Sequence, residues 1–234
     1  QLLAATQNPI VFKQVQENAE SVLAVEPSNP DALVLLGNAF IGQKDADKAI
    51  SSYEKALSID PKNLKATLNL AAAQLRKNDA ALSEQTFKKA LEDHPNDIQP
   101  HLAIATFYAS TGRTRETETH LRKAFEMAPA DARSLNALAN FFMAARKPAE
   151  AEGVFRQAIE RSPKEREPRW GLATFYLRTG STDKAVETLN ALLAVHKGDR
   201  EALLRLAEID LSRNDETKAA ERIKQALAAG QNDG

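Results

Sequence analysis

Apolar residues recur along this chain at three- and four-residue intervals, in blocks that return every 34 residues. In the block opening at Pro30, Leu33, Leu36, Gly37 and Phe40 share one helical face. Ala49, Tyr53 and Ala56 share a second, and Pro61 closes the unit. Such spacing marks amphipathic helices, and a proline ring cannot sit inside a continuing helix. The same set returns from starts at Leu64, Ile98, Ala132, Arg166 and Arg200. A fixed period of this length, with two helices in each unit, predicts an all-α array of helix pairs with one continuous core. Residues 1–234 are therefore expected to form a single solenoid, with a partial unit over 1–29, six full units, and a disordered tail over 230–234.

The punctuation between blocks supports helices. Asn29 is placed to cap a first helix with Pro30 at its first position, where a missing N–H does no harm. Residues Gly42 to Asp47 read as the turn. In four units the position after the first helix is Asn78, Gly112, Gly180 or Asn214, residue types that end helices in the left-handed conformation. Before the first full unit, Leu2 to Gln7 reads as the end of a helix, Asn8 and Pro9 as a cap, and Ile10 to Val25 as a second helix. Small residues such as Ala124 and Ala158 alternate with aromatics, which predicts close backbone approach with rings filling the spaces between pairs.

Composition narrows the function. With 31 basic and 32 acidic residues there is no overall field to draw in nucleic acid or anionic lipid. Cysteine is absent, so neither disulfides nor thiolate chemistry is available. No apolar run approaches the roughly 20 residues of a membrane span. A start at Gln1 without methionine reads as a mature or excised piece.

Catalytic signals are sparse. His94, His101, His120 and His196 have no second histidine three or four residues away, which favours solvated or capping roles over metal ligation. No phosphate-binding glycine loop occurs. The pairs Asp45/Asp47 and Glu150/Glu152 sit in turns and on outer faces, as solvated charges do. Lys164, Arg166 and Arg169 beside Trp170 form a basic cluster, but Glu165 and Glu167 interrupt it. No catalytic residue, metal or cofactor is expected, and no nucleic-acid partner.

At these residues the chain resembles the tetratricopeptide repeat family over nearly its whole length. Phrases such as NPDALVLLGNAF are similar to bacterial versions, including the repeat lipoproteins of polysaccharide-export systems. The resemblance implies a right-handed superhelix of antiparallel helix pairs whose first helices line a concave groove that binds a protein or peptide. It places Asn38, Leu68, Arg76, Leu102, Asn136, Asn140, Met143, Trp170 and Arg178 on that groove. The leucines there either fill gaps between neighbouring first helices or form an apolar strip for a ligand. Asn38 and Asn140 offer both donor and acceptor to a ligand backbone, and Trp170 suits an interface anchor. The two-carboxylate clamp of chaperone-binding relatives needs a lysine where this chain has Val34, Leu68, Leu102, Asn136, Trp170 and Leu204, so that subclass is rejected.

The leading expectation is a non-catalytic scaffold in the bacterial cytoplasm or envelope. One alternative is a self-associating assembly protein, since the last helix, about Glu216 to Ala229, carries Ile223, Ala226 and Leu227 where a further helix would pack. Either the native chain continues there or that edge pairs with another molecule. The other alternative is the targeting arm of a larger enzyme.

Overall fold

The computed structural model describes residues 9–230; the helix end at Leu2–Gln7, the cap at Asn8 and the tail beyond Gly230 lie outside them. Gly230 itself closes the last helix. Among the described residues there are thirteen α-helices and no strand. Helix α1 spans Pro9–Val25. Six helix pairs follow: α2 and α3 (Pro30–Gly42, Ala46–Ile59), α4 and α5 (Leu64–Arg76, Ala80–Asp93), α6 and α7 (Ile98–Ser110, Thr114–Met127). Then come α8 and α9 (Ala132–Ala144, Pro148–Arg161), α10 and α11 (Arg166–Arg178, Thr182–Val195), and α12 and α13 (Arg200–Ser212, Glu216–Gly230).

The helix ends show why the chain breaks where it does. Asn29 accepts from the Ala32 N–H at 2.9 Å and Asn63 from Ala66 at 3.0 Å, satisfying donors that a helix start leaves open. Each first helix ends with the next-turn N–H reaching back five residues, as from Asp45 to the Phe40 carbonyl and from Ser181 to that of Tyr176. This closure needs a left-handed residue one step earlier. Gly112, Gly180, Asn78 and Asn214 supply it, as their types predict, but Lys44 and Arg146 adopt it too, with φ of 65° and 57°.

Within a pair the backbones come close. A methyl group added at Gly37 would lie 2.3 Å from the Tyr53 ring. Ala49 and Ala56, facing the same seam, have no exposed surface. Ser83 stands where four other pairs carry alanine, Ala49, Ala151, Ala185 and Ala219; buried, it donates its hydroxyl to the Ala71 carbonyl at 2.7 Å. Among the described residues no buried side-chain polar atom lacks a partner, so such departures cost little.

The chain divides into two compact units, the first ending at His120 and the second beginning at Leu121. In the first, Leu33, Val34, Tyr53, Leu70 and their alanine neighbours form one core, and Phe87, Ile104, Phe107 and Tyr108 another. In the second, Leu189, Leu192, Leu206 and Ile209 pack together, with Trp170 and Leu177 half-buried against them. Asp210 occupies a position where four other pairs carry an aromatic, Phe40, Tyr108, Phe142 and Tyr176; it is buried and accepts from Arg222 Nε at 2.5 Å. An ion pair thus replaces a ring in the last hairpin.

Candidate functional site

In the first unit the first helices of successive pairs touch, α2 against α4 and α4 against α6, and an open groove lies between α4 and α6. Its volume is about 410 Å³. Leu68, Leu75, Phe87 and Phe107 give it an apolar lining, while Asn69, Thr106, Ser110 and Arg76 supply polar groups. The sequence expectation placed Leu68 and Arg76 here; Phe87 and Phe107 were not expected to reach the surface of a site. Their signal lay only in tertiary packing, since both are core residues by pattern and are almost fully buried.

Arg76 also lines a second cavity of about 550 Å³, with Pro9, Phe12, Asn38, Ile41, Gly42 and Lys44. Neither Lys44 nor Arg76 forms an ion pair with a described residue, and both are exposed. Asn38 is held from two sides: its Oδ1 accepts from the Tyr53 hydroxyl at 2.8 Å and from Asn69 Nδ2 at 2.9 Å. Burial pushes the Tyr53 hydroxyl up to about 12, against the opposing charge of Arg76, so it stays a donor. The Asn38 oxygen is therefore committed within the fold, and its Nδ2–H₂ makes no hydrogen bond to a described residue. Leu102 is half-buried on α6 and is not part of either cavity lining.

The second unit holds the other expected positions. Asn136 and Asn140 are exposed on α8, Met143 is half-buried on the same helix, and Arg178 closes α10. Arg178 Nη1 donates to Asn140 Oδ1 at 3.2 Å, which ties α8 to α10. Trp170 is as much a packing residue as a surface one: it lies on the Leu189–Leu206 core, and the Arg166 guanidinium sits 4.8 Å from its ring. Arg166 in turn donates to Asp199, Glu201 and Glu167, so its charge is compensated locally. Arg169 donates to the Pro163 carbonyl at 2.7 Å.

Three arrangements join residues far apart in the sequence. His101 and His120, nineteen residues apart, bring their Nδ1 atoms to 2.9 Å. His94 and His196 each meet a backbone carbonyl of the preceding inter-unit turn, Lys62 at 2.8 Å and Lys164 at 2.9 Å, which requires a proton on Nε2. In two places a tyrosine on one first helix meets a glutamate on the preceding second helix. Tyr108 donates to Glu84 at 3.1 Å, and Tyr176 to Glu152 at 2.7 Å. Lys88, then Arg113 and Tyr108, hold Glu84 down at about 2. Burial works to raise Glu152, but Tyr176 and Arg156 outweigh it and its carboxyl lies below the ordinary range. The paired glutamates and their cations four residues on, Lys88 and Arg156, were the available signal.

No group of three or more metal-ligating side chains forms among the described residues. No described helix is long and apolar enough to cross a membrane. The arrangement offers an apolar channel, amide groups and two uncompensated cations, which suits recognition of a polypeptide.

No curated protein matches the chain in sequence. Among solved structures it is similar to yeast Tom70, with a TM-score of 0.60 and 20% identity over 93% of this chain and 43% of that one. It is also similar to the APC/C hetero-tetramer Cut9–Hcn1, with a TM-score of 0.54 and 16% identity over 98% and 46%. A third likeness is to pilF of Pseudomonas aeruginosa, at 0.50 and 19% identity over 82% and 88%. The chain spans under half the length of the first two, and at these identities the likeness is one of fold. Two tetratricopeptide repeat profiles match the sequence, one over residues 40–107 and 142–202 and the other over 102–166. With helix pairs in register across the same span, the chain belongs to the tetratricopeptide repeat family.

Proposed function

We propose that this protein is a non-catalytic scaffold that captures a polypeptide segment along the faces of its first helices. The observation that carries this reading is the open apolar groove between α4 and α6, whose floor of Leu68, Leu75 and Phe107 is rimmed by Asn69 and Thr106. Side chains on such a floor gain by losing water, and the rim groups orient a peptide backbone. Asn136, Asn140, Met143, Trp170 and Arg178 are proposed to extend the same kind of contact in the second unit.

A clean test adds bulk where there is none. Ala72 lines the groove and is exposed, so Ala72→Trp obstructs it without opening a core cavity. Random peptides displayed on phage and selected against the wild type should yield ligands that Ala72→Trp fails to hold, with unchanged helical circular dichroism. Ligands bound equally by both proteins would place recognition elsewhere. Trp170→Ala is a poorer probe, because it also removes packing from the second unit's core.

Self-association is the second reading, favoured by the exposed Ile223 and Leu227 on α13. Concentration-dependent mass in light scattering supports it; a constant monomer mass removes it. The setting suggested by the bacterial character of the repeats is an envelope assembly, for which fractionation of source cells with antibody to this chain is the direct check.

A further inference from the structure

Arg76 stands at a junction. On one side it borders the α4/α6 groove with Leu68 and Phe107, and on the other the cavity that holds Phe12, Ile41 and Lys44. A third, smaller cavity of about 370 Å³ is again lined by both Arg76 and Lys44. No described acidic side chain lines any of the three, and neither cation is paired with a described residue. Residues 1–8, which precede Pro9 at the rim, contain no carboxylate side chain in their sequence. Nearby lysines are different: Lys48 is paired with Asp45 and Lys77 with Asp47. Two cations beside an amide with spare donors, in a site otherwise apolar, are a complement to one carboxylate.

The apolar surface lies on both sides of Arg76, so an occupant following it passes the cations instead of ending at them. That favours an internal acidic residue over a chain terminus. Resting on the groove reading above, we propose that the first unit selects polypeptide segments in which an aspartate or glutamate is flanked on both sides by large apolar residues. The carboxylate is taken by Arg76 and Lys44, with Asn38 Nδ2 as a further donor, and the flanking side chains enter the two apolar stretches. Ion pairing in a groove with apolar walls is stronger than on open surface, because less water competes.

The test compares the phage-selected peptides from the wild type with those from Arg76→Glu and Lys44→Asn; asparagine keeps the left-handed backbone that Lys44 adopts. Wild-type ligands should be enriched in one acidic residue between apolar ones. Arg76→Glu should shift the enrichment to lysine or arginine at that place. In fluorescence anisotropy, a selected peptide with its acid replaced by the amide should bind about tenfold more weakly to the wild type. Its disadvantage should largely vanish on Lys44→Asn combined with Arg76→Glu. Selected peptides without acidic enrichment, or an amide analogue that binds equally well, overturn this inference and leave the groove reading intact. Failure to select any groove-dependent peptide overturns both, as does preferential binding of a single-stranded oligonucleotide competed by inorganic phosphate.

Discussion

Lys44 and Arg146 show how single residues are governed by their place in the array. Both close a first helix with positive φ, a conformation that costs a residue with a Cβ about 1–2 kcal/mol relative to right-handed backbone. The two equivalent glycines, Gly112 and Gly180, adopt it without that cost. Arg146→Gly is therefore expected to stabilise the protein, by about 0.5–1 kcal/mol once the greater freedom of glycine in the unfolded chain is subtracted. Urea titration measures this; a loss of stability would mean that the Arg146 side chain contributes more than its backbone strains. Lys44 was legible as a turn residue but not as a site residue. Its position beside Arg76 comes from the fold of the hairpin, and nothing in its own sequence neighbourhood announces it.

At the scale of the helix, the informative contacts join elements that spacing treats as independent. The His101–His120 pair links α6 to α7, with the Tyr108 ring 5.5 Å from that of His120. One imidazole must donate its Nδ1–H while the other offers a lone pair, so the pair cannot keep this bond when both rings are charged. Burial, and then the Lys88 charge, lower His120 below its ordinary 6.5. The folded state thus binds fewer protons than the unfolded chain in this window. Its contribution to stability is complete above about 6.5 and is lost as pH falls towards the folded value. Thermal unfolding should accordingly fall between about pH 7 and 5, with a shallower slope in His120→Phe. Identical slopes in the two proteins would remove the pair from the account. Glu84, held near 2, loses its contribution from about its ordinary 4.5 downward, so it bears only on the low end of this range and acts in both proteins.

Within each unit, the helices pack on near neighbours in sequence, as α4 on α5 and α12 on α13, and first helices touch the following first helix, as α8 does α10. Stability in such an array is a sum of local units and interfaces, and damage is felt locally. Ala158, with no exposed surface at the seam of α9, is the place to test it. Ala158→Leu should overpack that seam and destabilise by about 1–3 kcal/mol. Hydrogen exchange should quicken in α8 to α10 and change little in α12 and α13. Uniform quickening across the second unit would argue for one cooperative core instead.

The sequence by itself determined that the chain is helical, where its helices start and stop, and that small residues line the seams. These follow from short-range rules: periodicity, proline and capping chemistry, and the repetition of both every 34 residues. Tertiary structure alone decided which polar groups remain for a partner. Tyr53 and Asn69 claim the Asn38 oxygen and leave its Nδ2 for a partner, and Trp170 rests half-buried on the core with Arg166 4.8 Å from its ring. The physical reason is that a site is defined by what the fold leaves unsatisfied, and satisfaction depends on distances between residues 15 to 31 positions apart that no local pattern encodes.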